Sequence, residues 1–175
     1  MKYQNEGGPD LAQCFALVRR VTRPSAPQVL RLLDYVIFNA LIGNHDAHAK
    51  NFSLLYAREK SGEALVLAPL YDTLSTVVYP SLTPKMAMKI GSKYKFNEVC
   101  ARHWDQFADG AGLAKAQTRK RILTLAKSLP ATARTLQSDP RHEFSGDAVI
   151  ERIVDLLEQR CALTIRRLTD PAAEG

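Results

Sequence analysis

The sequence predicts a mainly α-helical single domain carrying one small β-hairpin, and three observations point there. Three long stretches repeat apolar residues at helical spacing, two short apolar runs flank one polar hexapeptide, and no repeat, low-complexity tract or linker divides the 175 residues. With 46% apolar residues the chain can bury one sizeable core, and nothing in the composition calls for a second.

The elements follow in chain order. A short helix is expected from Asp10 to Val21. The first long stretch opens on Ser25 and Gln28, a capping-box pair with Pro27 in the first turn, and carries Val29, Leu30, Leu33, Val36, Ile37, Ala40 and Leu41 up to Gly43. Its apolar residues occupy more than one face, so this helix is expected to be central and buried. Phe52 to Tyr56 and Ala64 to Leu67 lie either side of Arg58 to Glu63 and read as a hairpin, and Met86 to Ile90 as a further short strand. Another short helix is expected from Asn97 to Ala108, with Trp104 and Phe107 turned to the core. The stretch from Leu113 to Leu136 is basic and broken at Pro130, which predicts one or two amphipathic helices. The last begins near Asp147, where Ile150, Ile153, Val154, Leu157, Cys161, Ile165 and Leu168 mark an apolar stripe, with Arg166 and Arg167 late in it to suit the helix dipole.

Charge and cysteines bound the function classes. Of the net +6, the whole excess lies between Gly110 and Ser138, where Lys115, Arg119, Lys120, Arg121, Lys127 and Arg134 meet no acid. Such a patch is either a solvated helix face or a nucleic-acid contact. Cys14, Cys100 and Cys161 are too few and too scattered for a disulfide framework or a zinc site, and they fit buried thiols in a reducing cytoplasm. No apolar signal region opens the chain and charges interrupt its most apolar stretch, so neither secretion nor membrane insertion is expected.

Two polar clusters carry candidate chemistry. Gly43 to Phe52 follows the buried helix, and Pro69-Leu70-Tyr71-Asp72 follows the hairpin, so both sit at the ends of rigid elements. Phosphoryl transfer needs an acid to orient the attacking hydroxyl and hard oxygen donors for magnesium. Protein kinases use an Asp, an Asn five residues later, and a second Asp beyond a hairpin. Asp46, Asn51 and Asp72 repeat that order and that step. Loop capping is the structural alternative for all three, because Asp and Asn favour turns. His45 and His48 are spaced like a metal pair but lack a third nitrogen or sulfur ligand nearby, which argues against a zinc site; a metal-dependent hydrolase using Asp46, His48 and Asp72 stands as a weaker alternative.

The longer strings Gly43-Asn44-His45-Asp46-Ala47-His48-Ala49-Lys50-Asn51-Phe52-Ser53 and Leu67-Ala68-Pro69-Leu70-Tyr71-Asp72-Thr73-Leu74-Ser75 resemble the bacterial HipA-type serine/threonine kinases of HipA/HipB toxin–antitoxin modules. Lys2 to Pro9, Met86 to Gly91 and Arg102-His103-Trp104 are similar to segments of the same family. The resemblance implies the C-terminal lobe of a protein-kinase-like fold over residues 1–175. It implies Asp46 as catalytic base, Asn51 and Asp72 as magnesium ligands, and His48, Lys50 and Tyr71 beside the phosphates and adenosine of ATP. It further implies phosphorylation of an aminoacyl-tRNA synthetase, a HipB-like antitoxin partner and operator DNA contact, with Lys89, Lys93 and Lys95 on the side the family turns toward DNA.

Two departures temper these expectations. No Gly-rich phosphate loop and no Val-Ala-Ile-Lys-like strand occurs, so the N-terminal ATP-clamping lobe is absent from this chain, which is expected to be inactive alone and prone to self-association through the face where that lobe docks. His48, and not Lys, stands two residues after Asp46, and Tyr71-Asp72-Thr73 replaces Asp-Phe-Gly; both fit the HipA pattern. The other class of function is a non-catalytic remnant that binds an antitoxin or DNA.

Overall fold

A computed structural model describes residues 1–59 and 62–170. Helix α1 (Leu11–Val21) starts on a full capping box: the Asp10 carboxylate accepts the Gln13 N–H at 2.8 Å and the Gln13 side chain accepts the Asp10 N–H at 2.9 Å. Helix α2 (Ser25–Ile42) packs against α1 on one side and two later helices on others, which is why its apolar residues spread around its circumference. Leu32, Leu33, Ile37 and Leu41 are at most 1% exposed.

The capping box expected at Ser25 and Gln28 does not form. Pro24 stands at the cap position, and Gln28 turns inward to accept the Leu67 N–H at 3.0 Å. A buried backbone donor without a partner costs about 1–3 kcal/mol, whereas an exposed helix start is satisfied by water, so Gln28 serves the costlier group. At the other end Gly43 takes a left-handed φ of 76°, and a β-carbon there would lie 2.4 Å from Val77 Cγ1. Only glycine can stop α2 at that point and turn the chain into the loop that follows.

Strands β1 (Leu54–Glu59) and β2 (Gly62–Leu67) pair antiparallel from Leu54↔Leu67 onward, as the hairpin reading predicts. The turn expected between them falls at Lys60 and Ser61, outside the described residues. Strand β3 (Lys85–Ile90) is present where expected and pairs with β4 (Lys93–Lys95), which was not anticipated because three residues are too short to show alternation. Helix α3 (Ala101–Gly110) begins at Ala101 and not Asn97, since Phe96–Glu98 winds into a 3-10 turn first. Trp104 and Phe107 are 2% and 5% exposed and meet edge to face.

Helix α4 (Lys115–Ser138) runs unbroken through Pro130, correcting the expected break. It lies along α5 (Ala148–Thr169), and beyond the proline Arg134 grips Glu158 at 2.7 Å and Asp155 at 2.6 Å, so tertiary packing outweighs the lost helical bond. Asp147 caps α5, accepting the Val149 and Ile150 N–H groups. The acid-free basic stretch is largely neutralised by other elements. Arg119 makes a two-pronged bond to Asp105, Arg121 another to Asp34 on α2, and Lys115 lies 2.9 Å from Asp109. Of its six cations only Lys120 and Lys127 lack an ion pair with a described residue. Among the described residues no helix is long and apolar enough to cross a membrane.

Candidate active site

The loop after Gly43 is laced to the segment after Asp72. Gly43 O accepts the Val77 N–H at 3.1 Å and the Thr76 hydroxyl at 3.0 Å, while Thr76 Oγ1 accepts the His45 N–H at 2.8 Å. Ser75 Oγ donates to Ile42 O at 2.7 Å, and on the far side Ala87 N donates to His45 O at 2.7 Å. Asn44 is the hub. Only 4% exposed, it donates through Nδ2 to Asn39 Oδ1 at 2.8 Å and to Asp72 O at 3.2 Å, and accepts the Asp46 N–H through Oδ1 at 3.1 Å. One buried amide thus ties the backbone of Asp46 to that of Asp72 across 26 residues of chain.

Asn51 closes the 3-10 turn Ala49–Asn51. Its Oδ1 accepts the His48 N–H at 3.0 Å and its Nδ2 donates to Asp72 Oδ2 at 2.5 Å. Asp72 has a left-handed φ of 54°, uncommon for a residue with a β-carbon and tolerated best by Asp and Asn. The Asn44 and Asn51 bonds hold it there and leave the carboxylate at the surface. Asn51 and Asp72 thus meet through the amide nitrogen; the Asn51 oxygen sits on the His48 N–H, and the exposed Asp72 carboxylate supplies hard oxygen donors of the kind magnesium takes. Among the described residues no group of three or more His, Cys, Asp or Glu side chains is placed to hold a metal, so Asp46, His48 and Asp72 do not come together as the metal-dependent hydrolase alternative needs.

Asp46 projects from the same loop toward a cavity of about 470 Å³ lined by Tyr3, His45, Thr76, Leu82, Met86 and Tyr94 among others. Its two oxygens are held from the N-terminal segment. Lys2 Nζ lies 3.0 Å from Oδ2, and the Tyr3 hydroxyl donates to Oδ1 at 2.9 Å. The carboxylate raises the Lys2 pKa above its ordinary value. In the sequence this segment stands out only by its family resemblance, and no local spacing assigns Lys2 or Tyr3 to Asp46, more than 40 residues away.

The remaining predicted residues lie around this centre. His48 is 6% exposed, packs edge-on against Tyr3 with ring centroids 6.3 Å apart, and has a buried Nδ1 without a hydrogen-bond partner among the described residues. Burial first, and then the Lys2 charge, lower its pKa, so the ring is neutral at pH 7. Tyr71 is 42% exposed and donates to Lys50 O at 2.7 Å, with Ser53 Oγ at 2.6 Å, which pins the segment before Asp72 to the loop carrying Asn51. Lys50 itself faces solvent. His45 packs with Nδ1 3.3 Å from Thr83 O, its pKa lowered by burial and next by Arg160. Arg160 was missed altogether: from α5 its guanidinium donates to Ala40 O and Leu41 O at the end of α2 and lies 3.9 Å from the Phe96 ring centre.

Comparison with known proteins matches residues 1–133 to the HipA-like C-terminal domain family. A Sinorhizobium fredii protein named "Putative kinase Y4mE" is 43% identical over 93% of the chain. The serine/threonine-protein kinase toxin HipA of Shewanella oneidensis is 28% identical over 70%. A solved complex of HipA, HipB and operator DNA from Shewanella oneidensis MR-1 superposes with a TM-score of 0.75 at 26% identity over 92% of the chain. The chain spans 38% and 27% of the length of the two relatives, and 37% of the chain in the complex.

Proposed function

We propose, from the premise that this chain belongs to the HipA-like C-terminal domain family, that it is the acid- and metal-holding lobe of a serine/threonine protein kinase that uses ATP and magnesium. The observation that carries the reading is the contact of Asn51 with Asp72 at 2.5 Å while Asp46, on the same loop, faces an open cavity. Loop capping alone explains neither a carboxylate turned to a cavity nor a second one held outward in a left-handed conformation.

Asp46 orients the acceptor hydroxyl that enters from the cavity. The hydroxyl oxygen bonds to the γ-phosphorus, the bond between that phosphorus and the β–γ bridging oxygen breaks, ADP leaves, and the hydroxyl proton passes to the Asp46 carboxylate and on to solvent. Asn51 and Asp72 would hold magnesium, which when bound neutralises charge on the phosphate oxygens. His48, Lys50 and Tyr71 border the nucleotide side of the same loop, Tyr71 by fixing its shape. The phosphate loop and the phosphate-pairing lysine have no counterpart in these 175 residues and are assigned to a second, N-terminal lobe.

An antitoxin-like partner and operator DNA belong to the same proposal, supported by the HipA, HipB and operator DNA complex. On α4 the arginines are paired with Asp34, Asp105, Asp155 and Glu158, which leaves Lys120 and Lys127 as that helix's cations without an ion pair to a described residue. Lys89 is more available than Lys93 and Lys95, which share Glu98.

Magnesium and ADP titrated at millimolar concentration test the metal assignment, read by NMR on the Asn51 side-chain amide. We expect shifts that vanish in Asp72→Ala. Equal shifts in both proteins would contradict it.

A further inference from the structure

We propose that Lys2 is the catalytic cation of this site, the group that stabilises the transferring phosphoryl group beside Asp46. The inference rests on the kinase reading above and adds a residue to it.

Phosphoryl transfer spreads negative charge over three equatorial oxygens, and a fixed cation at that position is a recurrent source of rate. On the loop that bears Asp46, His48, two residues on, is buried with its ring edge-on to Tyr3, and Lys50 is exposed within the Ala49–Asn51 turn, where it borders the nucleotide and makes no ion pair with Asp46. Lys2 reaches the Asp46 carboxylate itself from a distant part of the chain. Its ammonium lies 3.0 Å from Asp46 Oδ2 and 5.2 Å from the centre of the Tyr3 ring, while its side chain is 41% exposed. An ammonium carries three donors, and its exposed side can meet an oxygen arriving beside Asp46.

The segment around Lys2 is built to hold it in place. Tyr3 donates to the other Asp46 oxygen, and Gln4 Oε1 accepts the Lys89 N–H at 2.9 Å, anchoring the segment to β3. Glu6 N and Gly8 N both return to Tyr3 O, at 3.0 and 2.9 Å. A β-carbon at Gly8 would come within 2.8 Å of that same oxygen, so the fold closes only with glycine there. A random surface ion pair needs none of this scaffolding. In the transfer step the acceptor oxygen bonds to the γ-phosphorus of ATP, ADP departs, and the proton leaves through Asp46. Lys2 keeps its own protons throughout and acts by charge alone.

The test uses this chain in place of the segment it matches in the 43%-identical Sinorhizobium fredii relative, assayed with labelled ATP and a protein acceptor. Lys2→Met should lower kcat by about 100- to 1,000-fold, the range for losing one donor aimed at developing charge, with KM for ATP within about threefold. Lys2→Arg should recover kcat to within about tenfold. Tyr3→Phe, which removes the other Asp46 bond but no charge, should cost less than about tenfold. Equal losses in Lys2→Met and Tyr3→Phe, or no rescue by arginine, would reduce Lys2 to a prop for Asp46 and overturn the proposal. If wild type and Lys2→Met both transfer nothing, the kinase reading fails first, and this inference with it.

Discussion

Replacing Arg160 by methionine probes how α5 supports the active-site loop. The Arg160 guanidinium donates to Ala40 O at 2.7 Å and to Leu41 O at 3.1 Å, carbonyls at the end of α2 of which Ala40 O also accepts the capping Gly43 N–H at 3.4 Å. Burial lowers its pKa to about 10, so it is charged at neutral pH. Two hydrogen bonds from a charged donor are worth about 1.5–3 kcal/mol each, and the contact with the Phe96 ring adds about 0.5–2 kcal/mol. Methionine restores some apolar packing and spares the cost of burying a charge, which brings the expected net loss to about 2–4 kcal/mol. The loss should also be local. Gly43 follows directly, and a β-carbon there would already sit 3.4 Å from Arg160 Cζ, so hydrogen exchange at the Asn44, His45 and Val77 amides should accelerate before the rest of the chain. Urea unfolding gives the net loss and exchange mass spectrometry its location. A loss below about 1 kcal/mol, or exchange unchanged at residues 43–46, would show that α5 packs beside the site without supporting it.

Three further outcomes are expected. Asn44→Ala should destabilise by about 2–3 kcal/mol and abolish the magnesium-dependent shift at Asn51, because it unties Asp46 from Asp72; normal shifts would place the tie elsewhere. The Asp105 carboxyl is held below its ordinary value of 3.8, first by its bond to Arg119, so it contributes stability above pH 4 that is lost as pH falls through the depressed folded-state pKa. Asp105→Asn should then be less stable than wild type at pH 7, by under about 1 kcal/mol for so exposed a pair, and the gap should narrow as pH falls below the ordinary carboxylate value of 3.8; a gap that widens on acidification has the wrong sign. Finally, the chain alone should bind magnesium-ATP more weakly than about 1 mM by calorimetry, for want of a phosphate loop and its lysine. Micromolar affinity would mean that these residues clamp the nucleotide unaided.

What was legible in the sequence was local. The span of α2, its stop at Gly43 and the β1–β2 pairing all follow from periodicity and breaker residues within a few positions of one another. The order of Asp46, Asn51 and Asp72 was legible for the same reason: the loop and the hairpin are contiguous in chain. Partners far apart in sequence were not. Gln28 looked like a capping residue because nothing nearby revealed that Leu67 N, 39 residues on, would need it. The α4 arginines looked like a free basic face because Asp34 lies 87 residues from Arg121. Pro130 looked like a break because the strength of α4 packing on α5 is a tertiary property. Lys2 and Arg160 converge on the site from opposite ends of the chain, and Arg160 lies beyond the residues the family match covers.

The most direct measurement is γ-phosphoryl transfer by wild type and Asp46→Asn, each placed in the Sinorhizobium fredii relative as above and assayed at matched folded fraction. The two side chains are nearly the same shape, so the loop, the cavity and nucleotide affinity should persist, while loss of the proton-accepting carboxylate should cut transfer by at least about 100-fold. Transfer by Asp46→Asn within about threefold of wild type would contradict Asp46 as the group that activates the acceptor hydroxyl.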